Sequence, residues 1–328
     1  MSVTLTIPTL GRINLAFMDM LHSLDNQTFK DFKAIFIVPL DYQELRLNMI
    51  LEETDLEFSI VHQTNNGFEN AMNCALRSSS DINLNMDDDA IYPSTHVRTY
   101  IRLFEETNAG IIFGKVNGHS SYLNETLFFL EMQYLLNNKP LASSLKNYLI
   151  FFNSAGFLSG NILSLLTPFR RGLRLNGSPI GVNMGWSKHA VKNFSLLEFS
   201  KRGTINEAYI ALHVIMNGMP VIETNLLNVK HNHIGESLSR ENNKKSFLEK
   251  LTELLFTPLV VQTYYHIDQR EFEKALTKIH TILNFIPLQT FGFFNSVLTV
   301  VSDGIFESWD ERRIREEYNK IVKKIDTK

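Results

Sequence analysis

Between Val3 and Met86, four short apolar runs of strand length alternate with segments whose apolar residues recur at helical spacing, and this rhythm restricts the fold more than any other feature. Val3 to Ile7 is stopped by Pro8, and Ile13, Phe17, Leu21 and Leu24 follow at helical spacing. Ala34 to Val38 is closed by Pro39; Tyr42 to Leu51 then reads as a helix and Phe58 to Val61 as a strand. After Asn66-Gly67, Phe68 to Leu76 reads as a helix with Ala71, Cys74 and Ala75 on its buried side. The fourth strand, Asp81 to Met86, ends in Asp87-Asp88-Asp89. Such alternation specifies a mostly parallel sheet covered by helices on both faces, in which ligands bind at the carboxyl ends of the strands.

The remainder is less regular. A strand is expected at Gly110 to Lys115, a helix at Thr126 to Leu136, a strand at Gly181 to Trp186 and a helix from Lys188. A helix from Ile205 to Met216, ended by Gly218 and Pro220, precedes two short strands, Val221 to Glu223 and Leu226 to Val229. From about Ser246 the pattern is helical throughout, punctuated by Pro258 and Pro287. Two windows, Asn147 to Phe169 and Ile279 to Ser302, contain no Asp, Glu, Lys or Arg. Each is long enough to span a bilayer, but internal Asn, Gln, Gly and Pro make insertion expensive. They read as buried protein segments or as a surface for a membrane or lipid-linked substrate, which Arg170, Arg171 and Arg174 would suit.

Charge and cysteine content exclude several classes. The 328 residues carry 32 Lys+Arg against 35 Asp+Glu, a net of -3, so the broad positive field required by a phosphate backbone is missing and no nucleic-acid partner is expected. The single cysteine, Cys74, cannot form an internal disulfide or a thiolate-rich metal site, and its place in an apolar helical stripe reads as core. The start, Met1 to Leu5, has no basic region ahead of an apolar stretch, so no secretory signal and a reducing compartment are expected. Neither the glycine-lysine phosphate loop of nucleotide triphosphatases nor the glycine-rich dinucleotide fingerprint is present.

Three consecutive carboxylates after a buried strand raise one another's pKa unless a cation joins them. A divalent ion would do so, and hard oxygen donors suit Mg2+ or Mn2+. In extended geometry Asp87 and Asp89 point to one side, so one can reach a metal while the other meets a sugar hydroxyl or shares the ion. The alternative is an acidic turn capping a helix that starts near Ser94. The position after an apolar strand in an alternating fold favours the functional reading.

The opening Thr6-Ile7-Pro8-Thr9-Leu10-Gly11-Arg12, the helix at Asn66-Gly67 with Ala71 and Asn73, the strand end Asn85-Met86-Asp87-Asp88-Asp89 and the later Gly181-Val182-Asn183-Met184-Gly185-Trp186 follow one another along the chain. From about Val3 to about His231 this order resembles the glycosyltransferases of the GT-A fold, most closely the family 2 type that uses nucleotide-sugar donors. The resemblance implies an α/β fold with a Rossmann-like, mostly parallel sheet flanked by helices, and a helical C-terminal extension. It implies donor contacts from Pro8, Thr9, Arg12, Asp41, Asn66, Gly67, Asp87 and Asp88, and an acceptor side with Gly181, Asn183 and Trp186. Asp87, Asp89 and His231, in Val229-Lys230-His231, are the implied ligands of Mn2+ or Mg2+, with His233 as the competing histidine.

Two departures accompany this resemblance. Asp41 stands alone where the family shows two adjacent aspartates that read the base, and Asn206-Glu207 replaces its Glu-Asp pair. Glu207 is then the implied general base for the acceptor hydroxyl; its other reading is a favourable charge in the first turn of a helix. The polar stretch from Gly235 to Asn243 reads as a loop closing over the donor, with Arg240 and Lys244 as candidates to neutralise the leaving diphosphate.

The expected organisation is a transferase domain at 1–243, with a nucleotide-sugar half at 1–115 and an acceptor half at 116–243, followed by the extension at 244–328. The expected function is metal-dependent, inverting transfer of a sugar from a nucleotide-diphosphate sugar to a hydroxyl. The acceptor would be a glycan, a lipid-linked molecule or a small molecule, in polysaccharide, glycolipid or glycoprotein glycan synthesis. Alternatives are a retaining enzyme resembling mannosylglycerate synthase and a decayed donor-binding or scaffold protein. The expected location is cytoplasmic, with peripheral contact at the cytoplasmic membrane face as its variant.

Overall fold

The computed structural model describes residues 1–117, 139–161, 169–200, 203–231, 244–283 and 288–326, with the side chains of 244, 246–247, 282–283, 288–291 and 326 outside the described set. The helix expected at Thr126 to Leu136 lies outside the described residues. By contact clustering the chain forms two compact units: residues 1–120, 167–196 and 210–237, and residues 121–166, 197–209 and 238–328.

The first unit is built on the sheet that the alternation predicts. Strands β1 (Val3–Pro8), β2 (Lys33–Val38), β3 (Glu57–His62) and β4 (Ile82–Met86) run parallel in the order β3-β2-β1-β4. Between them lie helices α1 (Leu15–Asp25), α2 (Leu45–Leu51) and α3 (Phe68–Leu76). Helix α1 starts where it does because the Asn14 side chain accepts the Phe17 N–H at 3.0 Å, satisfying one of the free donors of the first turn. Beyond β4 come the two-residue β5 (Ala90–Ile91), helix α4 (His96–Thr107) and β6 (Ile111–Asn117). The alternating apolar positions Leu5, Ile7, Phe36, Val38, Leu84 and Met86 are fully buried against Phe17, Leu21, Val97 and Tyr100. Each such side chain contributes roughly 1.5–3 kcal/mol on burial.

The later strands make the sheet mixed. β10 (Asn183–Ser187) inserts antiparallel between β4 and β6, and β11 (Val221–His231) runs parallel to β6. β5 and β9 (Leu173–Leu175) pair antiparallel with β11. The two short strands expected at Val221–Glu223 and Leu226–Val229 are one strand, whose pairing with β6 shifts register between Glu223 and Asn228. An irregularity of this kind interrupts the apolar pattern without ending the strand. The helix expected from Lys188 does not form. Bonds from Ala190 N–H to the Ser187 carbonyl and from Phe194 N–H to the Val191 carbonyl close four-residue turns, and Asn193 adopts φ 62°, a conformation that halts a helix.

In the second unit, β7 (Ile150–Phe152) and β8 (Leu158–Gly160) form a hairpin whose turn is fixed by the buried Asn153 side chain accepting the N–H groups of Ala155 and Phe157. Four helices follow: α6 (Lys244–Tyr264), α7 (Gln269–Leu283), α8 (Leu288–Glu307) and α9 (Glu311–Asp326). Pro258 lies inside α6 rather than ending it, against the punctuation expected there. The rings of Phe199, Phe256 and Tyr318 meet at 5.1–6.3 Å in this core. The charge-free windows supply its interior: Tyr148, Leu149, Phe151, Phe157, Phe294, Val297 and Leu298 are all buried. Among the described residues no helix is long and apolar enough to cross a membrane. Helix α5 (Asn206–Met216) begins in this unit and continues into the first.

Candidate active site

The carboxyl ends of β1 and β4 lie side by side because Thr6 pairs with Asn85 in parallel register. The chain then turns through Asp87-Asp88-Asp89 into β5, whose Ala90 pairs with His231 at the end of β11. That two-residue pairing brings a histidine far along the chain onto the acidic turn. His231 Nε2 lies 2.9 Å from Asp89 Oδ1 and 3.5 Å from Asp87 Oδ2. The histidine side chain is only 8% exposed, whereas Asp87 and Asp89 are 39% and 29% exposed, so the cluster opens towards solvent on its carboxylate side. Burial lowers the imidazole pKa, but hydrogen bonds and charge attraction from Asp87 and Asp89 outweigh it and leave His231 pushed up to about 9.

One donor atom from each of Asp87, Asp89 and His231 lies within 4.8 Å of the others. Donors about 2.1 Å from a six-coordinate ion stand about 3 to 4 Å apart, so two carboxylates and an imidazole at these separations fit a divalent cation. Three remaining positions on such an ion would be free for phosphate oxygens and water.

Asp88 plays a different part from its neighbours. It accepts the Thr9 hydroxyl at 2.5 Å, and Thr9 Oγ1 in turn accepts the Gly11 N–H at 2.9 Å. The loop after β1 is thereby tied to the acidic turn. Desolvation pushes the Asp88 carboxyl up to about 6, opposed by the Thr9 bond and assisted by the charges of Asp87 and Asp89. Tyr92 gives no signal in the sequence yet holds Asp87: its hydroxyl oxygen accepts the Asp87 N–H at 2.8 Å and lies 3.2 Å from the carbonyl of Val182. An aromatic directly after a two-residue strand carries no periodicity that could have marked it.

The remaining residues implied for the donor lie on neighbouring loops. Asn66 Oδ1 accepts the Leu40 N–H at 2.8 Å, Gly67 donates to Gln63 Oε1 at 3.0 Å, Pro8 ends β1, and Arg12 and Asp41 are exposed. Asn183 and Trp186, implied for the acceptor side, are both fully buried on β10. The Asn183 side chain accepts the Tyr100 hydroxyl and donates to the Lys115 carbonyl, each at 2.9 Å. The Gly181 carbonyl accepts from Asn85 Nδ2 at 2.9 Å. Glu207 is half-buried in the first turn of α5, in the second unit. Arg174 is already paired, donating twice to Glu223 at 2.6 and 2.8 Å, with its guanidinium over the Phe169 ring. His233, Arg240 and the Lys244 side chain lie outside the described residues.

Residues 5–162 match the family model for Glycosyl transferase family 2. That span contains Asp87 and Asp89 and ends before Glu207 and His231. No curated protein sequence gives a significant match. Among solved structures the chain is similar to the mannosyltransferase PcManGT from Pyrobaculum calidifontis in complex with GDP-Man and Mn2+, at 10% identity and a TM-score of 0.51, covering 98% of this chain and 85% of that one. It is also similar to S. aureus TarS 1-349 in complex with UDP-GlcNAc, at 11% identity and a TM-score of 0.50, covering 98% and 92%. GalNAc-T7 with UDP, GalNAc and Mn2+ matches at 7% identity and a TM-score of 0.51 over 78% of this chain and 48% of that one. At these identities the structural likeness speaks for the fold, and the family match over 5–162 speaks for the activity class. Residues 5–162 thus carry a glycosyltransferase family 2 domain, in a chain whose fold is similar to that of GT-A glycosyltransferases.

Proposed function

We propose that this chain moves a sugar from a nucleotide-diphosphate sugar to an acceptor hydroxyl, with a divalent cation at Asp87, Asp89 and His231 and with inversion at the anomeric carbon. The convergence of these three side chains at the ends of β4 and β11 carries the reading. Residues 1–243 hold the chemistry, with 1–115 on the donor side and 116–243 on the acceptor side, and 244–328 form an extension. A Mn2+ or Mg2+ ion held there supplies positive charge for the diphosphate oxygens.

The chain's own groups do the rest. Pro8, Thr9, Arg12, Asp41, Asn66 and Gly67 line the nucleotide, Asp87 and Asp88 meet the ribose and sugar side, and Gly181, Asn183 and Trp186 shape the acceptor strand. Glu207 takes the proton of the acceptor hydroxyl as its oxygen bonds to the anomeric carbon and the bond from that carbon to the diphosphate breaks. One base and an in-line departure give a single displacement and an inverted anomer.

The donors seen in the similar structures, GDP-Man and UDP-GlcNAc, head the panel to be tested. Thermal melting with UDP-, GDP- and dTDP-sugars should show a stabilisation that needs Mn2+ and is confined to the correct donor. Asp89→Ala should abolish the Mn2+-dependent part; if it left that part intact, the metal assignment would be wrong. NMR of the anomer released during slow donor hydrolysis should show inversion, and Glu207→Gln should slow transfer about 100-fold or more. A retained anomer would overturn the single displacement.

A further inference from the structure

His62, at the carboxyl end of the edge strand β3, is surrounded by hydrogen-bond acceptors. Its Nδ1 lies 3.1 Å from the carbonyl oxygen of Pro39 and 3.0 Å from that of Leu40, and its Nε2 lies 2.5 Å from Glu44 Oε1. Carbonyl oxygens and an ionised carboxylate can only accept, so both ring nitrogens must carry a proton for these contacts to be hydrogen bonds. A neutral imidazole has a single N–H. Either tautomer would turn a lone pair on the two carbonyls or on the carboxylate, losing a bond and adding a repulsion.

Glu44, at the start of α2, is the charged group that meets this ring. The flanking residues Val61 and Gln63 and the β2 partner Val38 are uncharged. The Glu44 bond raises the His62 pKa, burial lowers it, and the Leu40 and Pro39 carbonyls raise it further.

The ring grips the loop that follows β2. Two other contacts hold the same loop: Asn66 Oδ1 accepts the Leu40 N–H at 2.8 Å, and the Tyr42 hydroxyl donates to the Gly11 carbonyl at 3.3 Å. Gly11 sits at φ 69° with the Tyr42 ring where a side chain would otherwise be, so the β1 and β2 loops pack directly on each other. Asp41 and the Thr9 to Arg12 segment, both assigned above to the nucleotide, are thus parts of one tethered surface.

We infer that His62 is a positioning residue for the donor: as an imidazolium it clamps the turn from Pro39 to Asp41 in the shape that receives the nucleotide, and donor affinity falls when it loses its proton. The inference rests on the nucleotide-sugar reading above and adds a residue that touches neither metal nor sugar. A histidine whose folded pKa is raised contributes fully below 6.5, and its contribution disappears as pH climbs through the higher folded value.

The test uses the full chain with Mn2+ and two probes, UDP-GlcNAc and GDP-Man. Calorimetric affinities between about pH 5.5 and about pH 8.5 should show the wild type losing roughly threefold more affinity with rising pH than His62→Gln or Glu44→Gln. Donor KM should carry this difference while kcat at saturating donor does not. Nitrogen-edited NMR should show both His62 ring N–H groups, titrating above 6.5 in the wild type and lower in Glu44→Gln. Parallel affinity profiles for wild type and both variants, or a His62 that titrates at or below 6.5 with one ring N–H, would overturn the clamp. If neither nucleotide sugar binds at any pH while the NMR signature is present, the donor reading falls and takes the donor role of His62 with it. If His62→Gln does not fold, Glu44→Gln and the wild-type NMR titration still decide.

Discussion

The Tyr92 hydroxyl stands outside the acidic pattern and yet determines where its first carboxylate sits. It accepts the Asp87 N–H and reaches the Val182 carbonyl, so Tyr92→Phe leaves two polar backbone groups without it. A hydrogen bond of this kind is worth about 1 kcal/mol. The variant should therefore fold, melt slightly earlier and bind Mn2+ more weakly, measured by calorimetry beside thermal melting. Asp88 tests the same turn in the opposite direction. Its pKa is raised from 3.8 to about 6, so the folded state holds that proton more tightly than the unfolded one. The resulting penalty is absent below 3.8 and complete above 6. Asp88→Asn keeps an acceptor for Thr9 and should raise the melting temperature of the metal-free protein near neutral pH. The gain should vanish as pH falls from 6 to 3.8; a gain that persists at low pH would trace to something other than charge burial.

At the scale of elements, the parts that local pattern controls could be read in the sequence. Helix α3 spans Phe68–Leu76, as its spacing indicates, and the four parallel strands appear where apolar runs meet Pro8, Pro39 and the acidic triplet. The triplet itself was legible because three like charges after a buried strand need compensation. What could not be read depends on pairing between distant segments. Nothing in Ala90-Ile91 announces a strand, yet its pairing with β11 selects His231 as partner of the carboxylates. The resemblance named His231, but local spacing left His233 equally open. Nor does the sequence foretell that the Thr9 hydroxyl would reach Asp88, or that Lys188 to Asn193 would close into turns.

The β5–β11 pairing carries its own prediction. With His231 held up at about 9, a divalent ion must displace a proton to use that nitrogen. Apparent Mn2+ affinity should rise with pH towards 9, with proton release seen in buffers of different ionisation heat. Without metal, the His231 contribution to stability is complete below 6.5 and is lost as pH rises through 9. His231→Asn should weaken Mn2+ binding and flatten the pH profile; a profile as steep as the wild type's would remove His231 from the site.

At the scale of the molecule, the charge-free windows form the interior of the second unit, and the few acidic side chains placed inside that unit are therefore informative. Glu253, on α6, is 1% exposed. Its carboxylate accepts the Tyr318 hydroxyl from α9 at 2.9 Å, and the N–H and hydroxyl of Thr204 at 3.0 and 2.5 Å. Thr204 lies just ahead of α5, whose first turn carries Glu207. The C-terminal helices thus hold the start of the helix that bears the proposed base, by hydrogen bonds to a buried carboxyl group. Losing one such bond costs about 1 kcal/mol. Tyr318→Phe should lower the melting temperature accordingly and reduce kcat while leaving donor KM unchanged, because its effect passes through Glu207 and not through the nucleotide loops. Steady-state kinetics with varied donor, read beside thermal melting, separates the outcomes. A shift in donor KM would place the effect in the donor site, and an unchanged kcat at reduced stability would show that the start of α5 keeps its place without the Tyr318 bond.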